Sequence, residues 1–211
     1  MIQARKKHLE PRRQPRQDRS IQRAQQIMDV TAQLLDEVGF DDLTTILIAK
    51  ELGISVGAVY HYFPNKHAIL RAIAENWLKA WDQLFEEIDT LALEHMALET
   101  CVVSLTNRFV GVYHKQKGIL PLVQAMFAVP ELRDLDERHD DLIISRLSII
   151  FKRMGLIKPK NELGRLARVY LEMTHALLLV VTEQKGARAQ RTLDDLNVVS
   201  CCLLERHFVA V

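Results

Sequence analysis

The sequence predicts an all-α protein, and two observations support that prediction. Apolar residues recur at spacings of three and four through long stretches, which is the pattern of an amphipathic α-helix. Only 8 glycines and 6 prolines interrupt 211 residues, so few positions favour turns. We expect a basic flexible arm over residues 1–19, a three-helix domain with a helix-turn-helix over 20–66, and a larger helical domain over 67–211.

Composition restricts the class of protein without identifying one. Apolar residues make up 48% and charged residues 26%, a normal balance for a globular chain. The apolar run from Ala176 to Val181 is far shorter than the ~20 residues that span a bilayer, and the N-terminus lacks the apolar core of a secretory signal. Three cysteines, two of them adjacent, do not make a disulfide framework. We therefore expect a protein of the reducing cytoplasm with no membrane segment.

The first 25 residues are strongly basic, although the whole chain has a net charge of only +1. Eight basic against two acidic residues give this segment +6, which leaves −5 for the remainder. Such an arm is attracted to a polyanion, but a solubilising tail has the same composition, and both interpretations stay open. Arg19 and Arg23 lie nearest the first helix. The basic residues are Arg5, Lys6, Lys7, Arg12, Arg13, Arg16, Arg19 and Arg23.

Residues 44–66 have the pattern of two short helices joined by a tight turn. Ile48, Ala49 and Leu52 follow a threonine pair at helical spacing, which suits a capped amphipathic helix. Gly53 then provides the turn, because glycine adopts the left-handed conformation easily. Ser55 is placed to cap a second helix, and Pro64 ends it.

The second of these helices carries side chains suited to a nucleic acid. Small residues at its start allow close approach to a groove, while Tyr, His and Lys supply hydrogen-bond donors for phosphates and base edges. An ordinary helical hairpin, with the aromatic residues in its core and Lys66 solvated, fits the same spacing. The candidate outward residues are Val56, Gly57, Tyr60, His61, Tyr62 and Lys66.

This segment closely resembles the N-terminal helix-turn-helix of the TetR (tetracycline-repressor-like) family. The shared pattern comprises Thr44 and Thr45, the pair Ile48 and Ala49, Gly53, and the string ISVGAVYHYFPNKHAIL that follows. The similarity also includes residues 24–40, which resemble the first helix of the family with its closing Gly39 and Phe40. It covers about the first third of the chain.

The resemblance implies a role for each matching position. Thr45 is expected to contact phosphate, Tyr60 and Tyr62 to contact backbone or bases, and Lys66 to anchor phosphate. Ser55, Val56 and Gly57 are placed at the start of the recognition helix, and His61 is our candidate for reading bases. Two departures reduce the polar groups available for this purpose: Ile46 and Leu47 are apolar where the family is usually polar, and Ala58 replaces a common Thr or Ser.

A long helix should follow, from His67 to about Ile88, with an apolar stripe at helical spacing. Its start would pack on the helix-turn-helix and its second half would enter the larger domain, which makes it a mechanical link. The stripe comprises Ile69, Leu70, Ile73, Trp77, Trp81 and Phe85. Further helices are expected at about 94–117, 119–128, 131–154, 162–184 and 192–209.

The larger domain contains aromatic and methionine residues that suit either a filled core or a cavity. The resemblance implies that this region binds a small-molecule inducer, which we expect to be apolar or aromatic. No cofactor is expected. The candidate ligand-binding residues are Trp77, Trp81, Phe85, Phe109, Tyr113, Met126, Phe127, Met154, Met173 and His175.

The last two helices are candidates for a homodimer interface. Residues 163–181 are apolar on more than one face, and residues 196–204 are almost uncharged. The resemblance places the family's dimer contacts in these helices, here about 162–184 and 192–209. Packing inside a single chain is the alternative.

A second function class is a helical metalloenzyme. Glu172 and His175 form a Glu-x-x-His pair, and Asp136 and His139 have the same spacing, as in di-iron helical bundles. The acidic segment around Asp136 is also typical of a solvated helix face. The chain has no catalytic serine signature, phosphate-binding glycine loop or Cys-x-x-Cys pair. We therefore expect a non-enzyme, a DNA-binding transcriptional repressor that a small ligand releases from a palindromic double-stranded DNA operator.

Overall fold

The computed structural model describes residues 15–208, with side chains from Arg19 onward. Over that range every regular element is helical, which confirms the predicted all-α class. Residues 1–14, and with them most of the predicted basic arm, lie outside the described residues. The α-helices are α1 (Pro15–Asp42), α2 (Thr45–Glu51), α3 (Val56–Tyr62), α4 (Lys66–Asp89), α5 (Leu98–Lys115), α6 (Ile119–Ala128), α7 (Arg133–Arg153), α8 (Lys160–Glu183) and α9 (Ala187–Glu205).

Helix α1 begins at Pro15, inside the segment that we assigned to the flexible arm. Proline suits the first turn of a helix, since its missing N–H would have no helical partner there. The last five residues of that segment are therefore helical. Near the other end, Gly39 has φ 76° and breaks the helix geometry before Phe40, as its predicted closing role requires.

Helices α2 and α3 form the predicted helix-turn-helix. The hydroxyl of Thr44 accepts a hydrogen bond from the Leu47 N–H, and that of Ser55 accepts one from the Ala58 N–H. Gly53 turns the chain with φ 64°. These local contacts fix both helix starts. The core beneath them contains Ile27, Leu35, Leu43, Ile48, Ala49 and Val59.

Helix α4 runs from the helix-turn-helix into the second domain without a break. Asn65 caps its first turn by accepting a hydrogen bond from the Ala68 N–H. All of its predicted stripe residues are buried, and they are joined there by Ala74, Leu78, Leu84 and Ile88. One continuous helix thus contributes to the core of both halves of the chain.

The residue just before helix α6 is packed tightly on α1. Gly118 precedes α6 with φ 62°, and a Cβ atom there would lie 2.7 Å from the Ala32 carbonyl oxygen. A contact that short forces the backbone of one helix to move, so only glycine fits at this junction. This junction joins the second domain directly to helix α1.

The remaining helix bounds differ modestly from the predicted ones. A short 3₁₀ turn, Leu93–His95, separates α4 from α5, so the helix expected from 94 starts at Leu98. A second 3₁₀ turn, Pro130–Leu132, precedes α7. Proline can start such a turn, but it lacks the N–H that would continue the hydrogen bonds of the preceding helix. Helix α9 starts at Ala187 rather than 192, directly after Gly186. Across residues 15–208, no helix is long and apolar enough to cross a membrane.

Candidate functional site

Helices α2 and α3 are joined on their outer side by two hydroxyl groups. The hydroxyls of Thr45 and Tyr60 lie 3.2 Å apart, within hydrogen-bonding distance. Tyr60 is 51% exposed, so its ring is not part of the core as a plain hairpin would require. Both hydroxyls retain unused hydrogen-bonding capacity for a ligand at the surface.

The start of α3 is open to solvent at Ser55 and Gly57. Val56 between them is half-buried and packs against the core, so its role includes fold stability. A Cβ atom added at Gly57 would meet only the Ser55 hydroxyl, at 3.9 Å. A side chain would fit at this position, and the φ angle is one that any residue can adopt, so the fold itself does not require glycine here.

The end of α3 faces the start of α1 across a shallow groove. His61 is exposed and packs edge to face on Tyr62, with ring centroids 5.1 Å apart. Arg19 and Arg23 of α1 line the same groove as these two rings, together with Ser20, Gln22 and Gln26. The two arginines of the basic N-terminal segment thus lie beside the C-terminal end of the candidate recognition helix.

Lys66 lies against the end of α1. Its Nζ donates a hydrogen bond of 2.9 Å to the Phe40 carbonyl and lies 4.2 Å from the centroid of the Phe40 ring. The side chain is half-buried and ties the start of α4 to the end of α1. This contact gives Lys66 a structural role, because the C-terminal carbonyls of α1 attract the ammonium group. An ammonium has three donors, so the expected phosphate contact stays a prediction.

One exposed residue of this surface was not among the predicted site residues. Ile46 follows Thr45 at the start of α2 and is 66% exposed. The sequence signal was its departure from the polar residue usual at that position. A large apolar side chain on a surface of this kind can contact sugars or thymine methyl groups. We call Thr45, Ser55, Gly57, Tyr60, His61 and Tyr62, with Ile46, Arg19 and Arg23, the α3 surface.

Two family models match the chain. The model described as "Bacterial regulatory proteins, tetR family" matches residues 27–73, which contain α2 and α3. The model described as "Tetracyclin repressor-like, C-terminal domain" matches residues 97–204, more than half of the chain. The chain belongs to the TetR family. The predicted family is therefore confirmed in both halves of the molecule.

Two curated relatives each match about a quarter of this TetR-family chain. The nucleoid occlusion factor SlmA of Mannheimia succiniciproducens is 43% identical over 56 residues, 26% of each chain. The HTH-type transcriptional regulator BetI of Stenotrophomonas maltophilia is 40% identical over 57 residues, 27% of this chain and 29% of that one. The match thus spans about a quarter of these relatives.

A solved structure supports the fold over nearly the whole chain. A transcriptional regulator from Saccharomonospora viridis, solved in complex with choline, has a TM-score of 0.68 and 18% identity. The alignment covers 90% of this chain and 100% of that one. At this identity the likeness concerns the arrangement of the helices alone.

In the second domain of the TetR-family regulator, most candidate ligand residues form one buried aromatic cluster. Trp77 and Trp81 of α4 lie 5.9 Å from Tyr113 of α5 between ring centroids, both nearly perpendicular to it. His139 of α7 stacks on Trp77 at 4.8 Å. Phe85 and Phe109 complete the cluster around Trp81. The sequence indicated His139 only as a possible metal ligand, in the metalloenzyme alternative.

His175 of α8 joins the cluster through a hydrogen bond between its Nδ1 and the Tyr113 hydroxyl. Burial is the main cause that lowers the pKa of His175 to about 4, with His139 as a second cause. Burial also raises the pKa of Tyr113. Near neutral pH both groups are therefore uncharged, and their hydrogen bond is one between neutral partners.

The methionines and Phe127 divide between core and surface. Met126 and Met154 are buried and Met173 is half-buried, whereas Phe127 is 58% exposed. Successive residues of a helix point about 100° apart, so the burial of Met126 directs Phe127 outward. Phe127 therefore lies outside the buried core, and its part in ligand binding stays a prediction.

The residues of the metalloenzyme alternative are engaged in other contacts. Glu172 is exposed and pairs with Arg168 at 3.2 Å, while His175 bonds to Tyr113. His139 Nδ1 lies 3.4 Å from a carboxylate oxygen of Asp140. Among the described residues, no three His, Cys, Asp or Glu side chains gather as metal ligands would. Glu172 and His175 therefore have different partners in this part of the chain.

The predicted dimer helices contain both buried and exposed apolar residues. Leu166, Tyr170, Leu178 and Leu196 are buried within the chain, as the alternative of internal packing requires. Four valines of these helices remain exposed: Val169 and Val180 of α8, and Val198 and Val199 of α9. Internal packing therefore does not account for all of the apolar residues of α8 and α9.

Proposed function

We propose that this protein is a homodimeric transcriptional repressor that binds a palindromic operator through the α3 surface and is released by a small apolar or aromatic ligand. The observation that carries the proposal is the outward placement of Ser55, Gly57, Tyr60 and His61 along the capped helix α3. The family membership and the similarity to a curated HTH-type transcriptional regulator support it.

The contacts sort into two classes by their chemistry. Thr45, Tyr60, Arg19 and Arg23 offer hydroxyl and guanidinium donors, which suit phosphate oxygens. His61 is exposed near the end of α3 and is assigned to base edges. Gly57 lets the helix start approach the DNA closely.

A dimer is required by the size of one α3 surface, because a seven-residue helix reads few base pairs. Two copies related by a two-fold axis would read half-sites about one helical turn apart, roughly 34–36 Å. We place the dimer contact on the exposed valines of α8 and α9, because an apolar surface of this kind favours association.

Ligand control would act through α4, which carries Trp77 and Trp81 in the second domain and begins next to α3. A ligand that prefers the released arrangement weakens operator binding by its differential affinity. A coupling of 1–3 kcal/mol corresponds to about 5–150-fold weaker binding.

Selection of genomic DNA fragments by the purified protein tests the proposal. We expect enrichment of a palindromic sequence, and fluorescence anisotropy should then show operator affinity falling steeply with salt. His61→Ala is expected to relax the preference at specific base pairs while leaving the salt dependence unchanged. Fragments without a common sequence, bound no better than heparin, would refute sequence-specific DNA binding.

A further inference from the structure

The aromatic cluster of the second domain contains polar ring edges without partners. The Nε1 atoms of Trp77 and Trp81 and the Nε2 atom of His139 are buried and have no hydrogen-bond partner within the described residues. The three side chains are only 2–3% exposed. Buried polar atoms are almost always paired in native proteins, so three orphans in one cluster indicate a missing partner.

The chemistry of these atoms restricts that partner. An indole N–H donates a hydrogen bond and cannot accept one. Because Trp77 and Trp81 both present donors, the partner must offer an acceptor such as a carbonyl or hydroxyl oxygen. The two indoles lie four residues apart on α4, so they occupy one side of that helix.

The ring faces are less available than the ring edges. His139 covers Trp77 with nearly parallel planes, inclined by 11°, and Phe85 is stacked on Trp81 with centroids 5.9 Å apart. Tyr113 meets both indoles edge to face. Cations are recognised over an open ring face, so this packing does not favour an ammonium ligand.

The charged groups beside the cluster disfavour an anion. Three carboxylates lie on α7 and α8 at this place, those of Asp136, Asp140 and Glu172, and Arg168 pairs with Asp140 at 2.8 Å and with Glu172. Burial, and then the neighbouring Asp140, raise the pKa of Asp136. A carboxylate ligand would meet further negative charge here.

We propose that the effector is an uncharged apolar or aromatic molecule with an oxygen acceptor, which the indole N–H groups of Trp77 and Trp81 hold. This rests on the proposed function in that it places the effector at the aromatic cluster. The ligand must separate rings that now cover one another. Since both indoles belong to α4, the displacement acts on the helix that starts beside α3.

The chain contains only two tryptophans, so the site has its own spectroscopic signal. Protein labelled with ¹⁵N-tryptophan should give two indole N–H resonances, assigned with Trp77→Phe and Trp81→Phe. Four probes share a benzene ring: acetophenone carries a neutral acceptor, ethylbenzene none, benzoate a negative charge and phenyltrimethylammonium a positive charge. Each is titrated into the full chain without DNA.

We expect acetophenone to shift both indole resonances saturably downfield. It should bind about tenfold or more tightly than ethylbenzene, as the loss of one hydrogen bond implies, and more tightly than the two charged probes because of their charge. Equal binding of ethylbenzene would overturn the acceptor requirement. Tighter binding of benzoate or phenyltrimethylammonium would overturn the neutral class. No shift with any probe at millimolar concentration would overturn the site itself.

Two controls separate this inference from the proposed function. Phe127→Leu changes an exposed aromatic residue outside the cluster and should leave all four affinities unchanged. Operator binding is measured separately without probe. If the protein binds its operator but does not discriminate among the probes, only the proposed class of effector is refuted. If the indole resonances shift but the protein binds no operator, only the proposed repressor function is refuted.

Discussion

At the residue scale, the α3 surface contains a glycine that the protein's own packing does not need. Gly57 is exposed, has ordinary helical backbone angles and has open space where a side chain would start. Glycine in a helix costs roughly 0.5–1 kcal/mol relative to alanine. A destabilising glycine at this exposed position is consistent with DNA lying close to the helix there.

Gly57→Ala is therefore expected to leave the free energy of unfolding unchanged or to raise it by up to ~1 kcal/mol, while operator affinity falls by about tenfold or more. Urea denaturation and fluorescence anisotropy measure the two quantities. Gly164→Ala in α8, where added atoms also meet open space, is the matched control and should leave operator affinity unchanged. Normal operator binding by Gly57→Ala would contradict the close approach.

Lys66 and Arg23 should differ in how they affect stability and salt dependence. Lys66→Met removes the hydrogen bond and the ring contact to Phe40, so we expect a loss of about 1–2 kcal/mol in the free energy of unfolding. Arg23→Ala should keep stability and lower the salt slope of operator binding by about one unit. A drop of a full unit in the salt slope for Lys66→Met at normal stability would instead support Lys66 as a phosphate contact.

Local residue roles could be predicted from sequence and distant ones could not. The caps Thr44 and Ser55 and the turn at Gly53 act on neighbours within a few residues, so their pattern was sufficient. The partner of Lys66 is 26 residues away along the chain. That pairing depends on where α1 ends in space, which periodicity does not specify.

At the scale of helices, an ion pair connects α4 with the start of α7. The Arg71 guanidinium donates to both carboxylate oxygens of Asp134, at 2.8 and 2.6 Å, and to the Glu131 carbonyl at 3.0 Å. This hydrogen bonding raises the pKa of Arg71 and lowers that of Asp134. His139 of the aromatic cluster lies on the same helix as Asp134, so the pair links that cluster to the first turns of α4.

Arg71→Ala should weaken communication between the two domains more than it weakens the fold. The pair is more than a third exposed, so we expect a stability loss of no more than ~1 kcal/mol. The ratio of operator affinities with and without effector should move toward one. Arg146→Ala, which breaks the comparable pair with Asp89 at the far end of α4, is the control. An unchanged ratio would exclude Arg71 from this communication.

At the scale of the whole molecule, α8 and α9 present apolar residues to both sides. Periodicity predicted that these helices are apolar on more than one face, and the structure assigns the inner face to Tyr170 and Leu196. The sequence could not show which apolar residues are exposed, because leucine and valine occur at both buried and exposed positions of these helices. Only the packed arrangement of helices separates them.

Val199→Glu is expected to weaken self-association by about tenfold or more, since a buried carboxylate at an apolar contact lacks a partner. Sedimentation velocity measures the association, and far-ultraviolet circular dichroism should show unchanged helix content. Ile157→Glu replaces a side chain that is 81% exposed outside the helices and should leave association unaffected. A dimer as stable as the wild type would place the interface elsewhere.

The glycine at the start of α6 limits how the two halves of this protein can be recombined. Gly118 leaves no room for a side chain against the α1 backbone at Ala32. A chimera that joins residues 20–66 to a foreign effector domain would need a glycine at the position that contacts α1. A graft with even an alanine at this position should lose the packing between the two domains, whereas exchanging α3 alone leaves this contact unchanged.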